Sequence, residues 1–133
     1  MPRDTTQLAN RLIPNGHEME VRVYYEDTDF SGVVYHSNYL KFMERSRTEW
    51  LRHLGVFHTD LEKEDSAFAI HRMALKYGPP ARIDDLLTVR TTLEKLTGAR
   101  SFLRQEVWRT EADGRETLIC GADVEVAFIN HGG

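Results

Sequence analysis

Residues 39–54 decide the fold, and they read YLKFMERSRTEWLRHL without a glycine or a proline. Apolar side chains recur in this stretch at helical spacing, which predicts an amphipathic helix. They are Leu40, Phe42, Met43, Trp50, Leu51 and Leu54. Ser37 or Asn38 is a candidate N-cap, and Gly55 is a natural stop after the last turn. About sixteen helical residues span about 24 Å, which is long enough to form the centre of a small domain.

The segments around this helix predict strands. Residues 19–25 alternate apolar and polar side chains and are rich in β-branched and aromatic types. Four further stretches with strand character follow the helix, at residues 68–77, 86–96, 101–110 and 117–129. The Ala112-Asp113-Gly114 sequence is typical of a tight hairpin turn, since Asp-Gly accommodates positive φ. A short second helix is predicted over residues 59–65. Five antiparallel strands and one long helix predict an α+β fold.

The composition fits one globular domain. The chain has 133 residues, of which 41% are hydrophobic and 29% are charged. Residues 1–16 are predicted to form a flexible N-terminal arm, and residues 17–133 are predicted to form the single domain. The net charge of −4 argues against a nucleic-acid partner, whose binding needs clustered positive charge. No apolar run is long enough for stable membrane insertion or for a signal peptide, so a cytoplasmic location is expected.

The segment before the helix contains the candidate chemistry. Residues 26–32 read EDTDFSG and place three carboxylates within four positions. A carboxylate beside a helix N-terminus experiences the positive end of the helix dipole and unpaired N–H groups. The same N–H groups can polarise a substrate carbonyl, which suits acyl transfer. A solvated turn would have the same local composition, so the segment alone leaves both interpretations open.

The wider sequence carries a family resemblance. Residues 22–39, RVYYEDTDFSGVVYHSNY, resemble the signature of the 4-hydroxybenzoyl-CoA thioesterase family, and more closely its Tol-Pal-associated acyl-CoA thioesterase branch. Residues 42–51, FMERSRTEWL, resemble that branch too, and the similarity extends over about residues 20–128. The resemblance implies the hotdog fold, in which a five-stranded antiparallel sheet wraps around a central helix. It also implies hydrolysis of an acyl-CoA to a free acid and CoA, with no cofactor.

The resemblance implies roles for individual residues. Asp29 is the catalytic carboxylate, which either attacks the thioester as a nucleophile or activates water as a general base. The backbone N–H of His36 faces the thioester oxygen, while the His36 side chain orients Asp29 or water, or bonds a loop carbonyl. Gly32 permits a close backbone approach or an unusual φ. Among the tyrosines that flank the loop, Tyr35 is the candidate for lining the acyl pocket.

Three further features complete the candidate set. Arg100 and Ser101 lie at a predicted hairpin, where the family binds the CoA phosphates, although ordinary solvated charge explains them equally well. Cys120 lies in an apolar strand without a Cys–His motif, so it is predicted to be inert core. No metal is predicted, because the acidic loop lacks calcium-loop spacing and a single cysteine with one histidine is a poor zinc site.

The resemblance also implies partners. The substrate is an acyl-CoA, an acyl carrier protein is a further candidate partner, and the chain is expected to form a homodimer or homotetramer with its site at a subunit interface. One alternative is a non-catalytic hotdog protein that binds acyl-CoA or an acyl carrier protein. A dehydratase on the same fold is a second alternative. The length and type of the acyl group stay open.

Overall fold

The computed structural model describes residues 7–131 and contains one long helix and one sheet. The long helix, α1, runs from Asn38 to His53, within one residue of the predicted limits. A six-residue helix, α2, covers His58–Lys63 in the segment where a short helix was predicted. A single 3-10 turn at Tyr25–Asp27 leads into the acidic loop. No helix within residues 7–131 is long and apolar enough to cross a membrane.

The sheet has six strands, all paired antiparallel, in the order β1-β2-β4-β5-β6-β3. The strands are β1 (Asn10–Ile13), β2 (Gly16–Arg22), β3 (Ser66–Tyr77), β4 (Leu86–Thr97), β5 (Arg100–Thr110) and β6 (Glu116–Asn130). The last four confirm the predicted strands to within two residues at each end. Within the described residues, β1 and β3 form the two edges of the sheet.

The sheet has one strand more than the five that were predicted, and the additional strand is β1. It occupies part of the predicted arm and pairs with β2 through a turn in which Asn15 adopts a φ of 59°. Three of its four residues are exposed, so the segment carries no alternation of apolar and polar side chains that would indicate a strand. The first six residues of the predicted arm and the last two of the predicted domain lie outside the described residues.

The core lies between one face of α1 and the sheet. Tyr39, Phe42 and Met43 on the helix are at most 3% exposed. They belong to the same cluster as the apolar residues of the sheet, including Leu87, Val89, Val107, Ile119 and Cys120. Burial raises the pKa of the Cys120 thiol to about 11, so this side chain stays protonated at neutral pH. Cys120 is therefore not a candidate for a reacting group.

The backbone at the start of β2 packs closely against the backbone of β4. A Cβ added to Gly16 would lie 2.0 Å from the carbonyl oxygen of Thr91 on the neighbouring strand β4. We therefore expect Gly16→Ala to lower the free energy of unfolding by about 1–3 kcal/mol, because the backbones must separate. Gly121→Ala is the control, since its Cβ would meet only the end of the flexible Arg104 side chain. Urea unfolding of both variants checks the difference, and equal stabilities would contradict it.

Candidate active site at the start of the central helix

The loop that carries Asp29 is a tight turn closed by its own backbone. Thr28 and Val34 form an isolated antiparallel bridge, and between them the Asp29 N–H donates to the carbonyl oxygen of Val33 at 2.9 Å. The Gly32 N–H donates to the Asp29 carbonyl oxygen at 3.0 Å, with a φ of 84° at Gly32. Gly32 thus adopts the unusual conformation that the sequence predicted. A Cβ added there would meet nothing within 4 Å, so the space beside it is open.

The Asp29 carboxylate is held by the next turn of the loop. Its Oδ1 accepts hydrogen bonds from the Ser31 hydroxyl at 2.5 Å and from the Ser31 backbone N–H at 2.9 Å. The hydroxyl bond is the main reason that the pKa of Asp29 is lowered, with smaller contributions from the N–H groups of Ser31 and Val33. The side chain is exposed in the single chain. Asp29 is therefore an oriented and charged carboxylate at neutral pH.

The start of α1 presents free backbone donors beside this loop. The Asp27 carbonyl oxygen accepts the Tyr35 N–H at 3.1 Å and the Asn38 side-chain amide at 2.7 Å, which fixes the chain just before the helix. No acceptor within residues 7–131 takes the backbone N–H of His36. This group precedes the first turn of a sixteen-residue helix, where unpaired N–H groups and the dipole favour negative charge.

A buried clamp joins the loop to the helix. The Val34 N–H donates to the carbonyl oxygen of Ala81 at 2.8 Å, and the Ala81 N–H donates to Tyr39 Oη at 3.0 Å. Tyr39 is buried in the first turn of α1, and burial is the main cause of its raised pKa. The clamp therefore fixes the position of Asp29 relative to the unpaired N–H groups.

Aromatic rings surround the His36 side chain. Its ring centroid lies 4.5 Å from that of Tyr35 and 6.1 Å from that of Tyr77. Tyr77 Oη also donates to the His36 carbonyl oxygen at 3.5 Å. Within residues 7–131, no hydrogen bond links the His36 ring to Asp29. Tyr77 was not among the predicted site residues, although the Gly78-Pro79-Pro80 break that follows it could have marked it as the strand end beside the loop.

The predicted site residues separate into two groups within one chain. Asp29, Gly32, Tyr35 and His36 lie in the loop and at the helix start. Arg100 and Ser101 lie toward the opposite end of the sheet. They pair there with Ala127 and Val126 of β6. At the other end of the sheet, which adjoins the Asp29 loop, Cys120 of β6 lies between Val107 of β5 and Tyr77 of β3. Ser101 and Val107 are six positions apart along β5, a distance of about 20 Å.

The two residues of the second group have different surroundings. Arg100 forms an ion pair with Glu125, which also contacts His71 Nε2 at 3.6 Å. Ser101 faces an apolar cavity under the helix. Within a single chain Arg100 and Ser101 therefore lie apart from Asp29, and the family resemblance had implied a site at a subunit interface. No three His, Cys, Asp or Glu side chains among residues 7–131 come together in a way that could hold a metal ion.

Comparison with known proteins shows the family to which this chain belongs. The thioesterase superfamily model matches residues 31–114, and the chain belongs to this superfamily. It is 41% identical over 122 residues to an acyl-CoA thioesterase, YbgC, from Haemophilus influenzae, covering 91% of this chain and 86% of that protein.

Solved structures support the same conclusion. A probable thioesterase from Bartonella henselae has 43% sequence identity and a TM-score of 0.78, with 89% of this chain and 94% of that chain covered. A 4-hydroxybenzoyl CoA thioesterase in complex with 4-hydroxybenzoyl CoA has a TM-score of 0.82 over 90% of this chain and 87% of its own. At 20% identity it shows the fold alone. The α+β architecture is thus a hotdog fold, with a sixth strand at its β1 edge.

The Ser31 hydroxyl offers a direct test of how Asp29 is held. We expect Ser31→Ala to raise the pKa of Asp29 toward its ordinary value, because the largest stabilising bond to the carboxylate is lost. The pH titration of the Asp29 carboxyl carbon by NMR measures this shift. Ser37→Ala is the matched control, since the Ser37 side chain makes no capping hydrogen bond. An unchanged Asp29 titration in Ser31→Ala would show that the hydroxyl does not hold the carboxylate.

Proposed function

We propose that this protein is an acyl-CoA thioesterase in which Asp29 and the backbone N–H of His36 act on the thioester carbonyl. Two observations support the proposal: Asp29 is a charged, oriented carboxylate in the loop that leads into α1, and the backbone N–H of His36 at the start of that helix has no acceptor within residues 7–131. The relatives named for acyl-CoA hydrolysis supply the substrate class. A thioester has a good thiolate leaving group, so the reaction needs a nucleophile and an oxyanion donor more than a strong acid.

Two mechanisms use the same geometry. In the first, an Asp29 oxygen attacks the carbonyl carbon, the carbon–sulfur bond breaks, CoA leaves as thiolate, and water then cleaves the mixed anhydride. In the second, Asp29 takes a proton from a water that attacks the same carbon, the carbon–sulfur bond breaks to release CoA as thiolate, and Asp29 then gives up the proton to the thiolate or to solvent. In both, the negative charge develops on the carbonyl oxygen, where the His36 N–H and the helix dipole stabilise it.

The His36 side chain has a supporting part in this proposal. Its ring contacts Tyr35 and Tyr77, and its carbonyl oxygen accepts from Tyr77 Oη. These contacts hold the backbone whose N–H faces the substrate. Among the described residues the His36 ring makes no hydrogen bond to Asp29. This supports a role of the ring in positioning the His36 backbone and not in transferring a proton to or from Asp29. Tyr35, exposed beside the same ring, is placed to contact the acyl group.

A second copy of the chain would complete the site. Asp29 is exposed in one chain, and within the described residues the outer edge of β3 has no neighbouring strand. If two β3 edges pair antiparallel about their midpoints, Tyr77 of one copy lies opposite Ser66 of the other. The end of the sheet that carries Arg100 and Ser101 then approaches Asp29 of the partner. A tetramer, an acyl carrier protein partner and a cytoplasmic location stay predictions.

The carboxylate is tested by Asp29→Asn, which keeps the shape and an acceptor for Ser31 but removes the charge. We expect kcat for thiol release from an acyl-CoA panel to fall by about a hundredfold or more, with an unchanged melting temperature. Asp27→Asn is the matched control, since within residues 7–131 its side chain accepts a hydrogen bond from the Tyr24 N–H of the turn alone. Cys120→Ala should also keep activity.

Two results would contradict this assignment. Near-normal turnover in Asp29→Asn would reject Asp29 as the catalytic carboxylate. No thiol release by the unmodified protein with any acyl-CoA of the panel would instead favour the non-catalytic binding role.

The shared site is tested by mixing two defective variants. Asp29→Asn abolishes the reacting group, and Arg100→Glu should raise KM by opposing the CoA phosphates. In a mixed dimer, one site has an intact Asp29 from one copy and an intact Arg100 from the other. Statistical mixing should therefore restore about a quarter of wild-type activity at low substrate concentration. Arg115→Glu, a charge reversal at an exposed hairpin, controls for a general effect of charge. Activity that stays at the average of the two separate variants would show that each chain forms its site alone.

A further inference from the structure

An apolar cavity lies between the second half of α1 and the sheet, away from the Asp29 loop. Its volume is about 340 Å³, within the range of small-molecule sites. Most of its wall is apolar, formed by Trp50, Leu51, Leu54, Phe68, Ile70, Leu93, Leu96, Leu103 and Val126. Within one chain the cavity lies apart from Asp29, although Ser101 lines it.

An arginine, Arg47, lies in this apolar wall, which also includes His58. Arg47 is half-buried, and its Nη1 donates to Gln105 Oε1 at 2.8 Å. Burial is the main cause of the lowered pKa of Arg47, so the surroundings disfavour its charge. Within residues 7–131 no carboxylate oxygen lies within 4.0 Å of its guanidinium. Glu44 also lines the cavity and is exposed, and its negative charge offsets part of the effect of burial on the pKa of Arg47.

The partner of Arg47 is fixed by a buried polar chain. Gln105 is fully buried, and its Nε2 donates to the Met43 carbonyl oxygen at 3.1 Å and to Thr91 Oγ1 at 2.9 Å. Thr91 Oγ1 in turn lies 3.1 Å from Ser46 Oγ. Because both amide hydrogens are occupied, Oε1 is presented to Arg47. The guanidinium is therefore held in one orientation before any ligand arrives.

We infer that this cavity binds a monocarboxylic acid with an apolar chain, whose carboxylate pairs with Arg47 and whose chain contacts the apolar wall. A guanidinium has five N–H donors in a fork that matches a carboxylate, and the protein supplies one acceptor here. A charge that is paired only in part is costly in apolar surroundings, and an anionic ligand lowers that cost. The choice of a carboxylic acid rests on the proposed function, since hydrolysis releases one.

The site is separate from the reacting groups of the same chain. Arg47 follows Asn38 by nine helical residues, which is about 13 Å along α1. A bound acid can therefore be detected without turnover and without Asp29. Trp50 is a reporter in the cavity wall, and the chain has only two tryptophans. Trp108→Phe leaves Trp50 as the single source of tryptophan emission.

The experiment compares decanoate with decanol, which has the same chain without the charge. In the Trp108→Phe protein, we expect decanoate to change Trp50 emission saturably and to bind at least about tenfold more tightly than decanol. Arg47→Met should remove this preference, and Arg47→Lys should keep part of it. A merely structural role for Arg47 would weaken both ligands equally.

A second substitution, at an exposed position on the edge of the cavity, tests the binding site without disturbing the fold. Leu96 is 66% exposed at the cavity, so Leu96→Glu should fold normally while placing a negative charge beside the ligand. We expect it to weaken decanoate binding and to leave decanol binding unchanged. Leu96→Gln is the neutral control for side-chain size and polarity, and it should keep the preference for decanoate.

Several outcomes would overturn the inference. These are no emission change with decanoate, equal affinity for both ligands, or a preference that survives both Arg47→Met and Leu96→Glu. Loss of decanoate binding in Asp29→Asn, with binding retained in Leu96→Glu, would place the acid at the loop instead. The thiol-release assay reports separately on hydrolysis, so failure of the proposed function would be seen there and not in the emission.

Discussion

The backbone N–H and C=O of one buried alanine, Ala81, hold the two halves of the candidate site together. Ala81 accepts from Val34 in the acidic loop and donates to Tyr39 in the first turn of α1. Ala81 is fully buried, so water cannot easily replace either bond, and breaking one leaves an unpaired polar group. The distance between the carboxylate and the helix amides is therefore set by the segment after β3, which is remote from both in sequence.

The state of Asp29 depends on what covers it. In the single chain the Ser31 bonds dominate, and they lower its pKa, which makes the carboxylate charged but weakly basic. A weak base is poorly suited to deprotonating water at neutral pH, whereas charge alone serves a nucleophile. Covering by a second subunit would add desolvation, which raises a carboxyl pKa and favours the general-base mechanism. The choice between the two mechanisms is thus tied to assembly.

Local patterns predicted the parts of this protein that depend on local physics. The limits of α1 follow from helical spacing and Gly55, and β3–β6 follow from alternation and turn residues. The exposed β1 shows no alternation, so its pairing with β2 could not be predicted from the sequence. The family resemblance made Asp29 and Arg100 candidate site residues, but a resemblance in sequence gives no distance between them, and the sheet separates these residues in one chain. The Ala81 clamp is likewise a contact between distant segments.

The buried face of α1 changes character along its length, and this change has a chemical consequence. The first turns place Tyr39, Phe42 and Met43 in the core, whereas the next turn places Ser46 and Arg47 toward Thr91 and Gln105. Polar groups in a core reduce stability unless they are fully paired, and Arg47 is paired only in part. A thioester carries no charge at its acyl carbonyl, whereas the released acid carries one. A fixed guanidinium therefore favours the acid over an uncharged acyl chain of the same length, so this end of the helix distinguishes product from substrate.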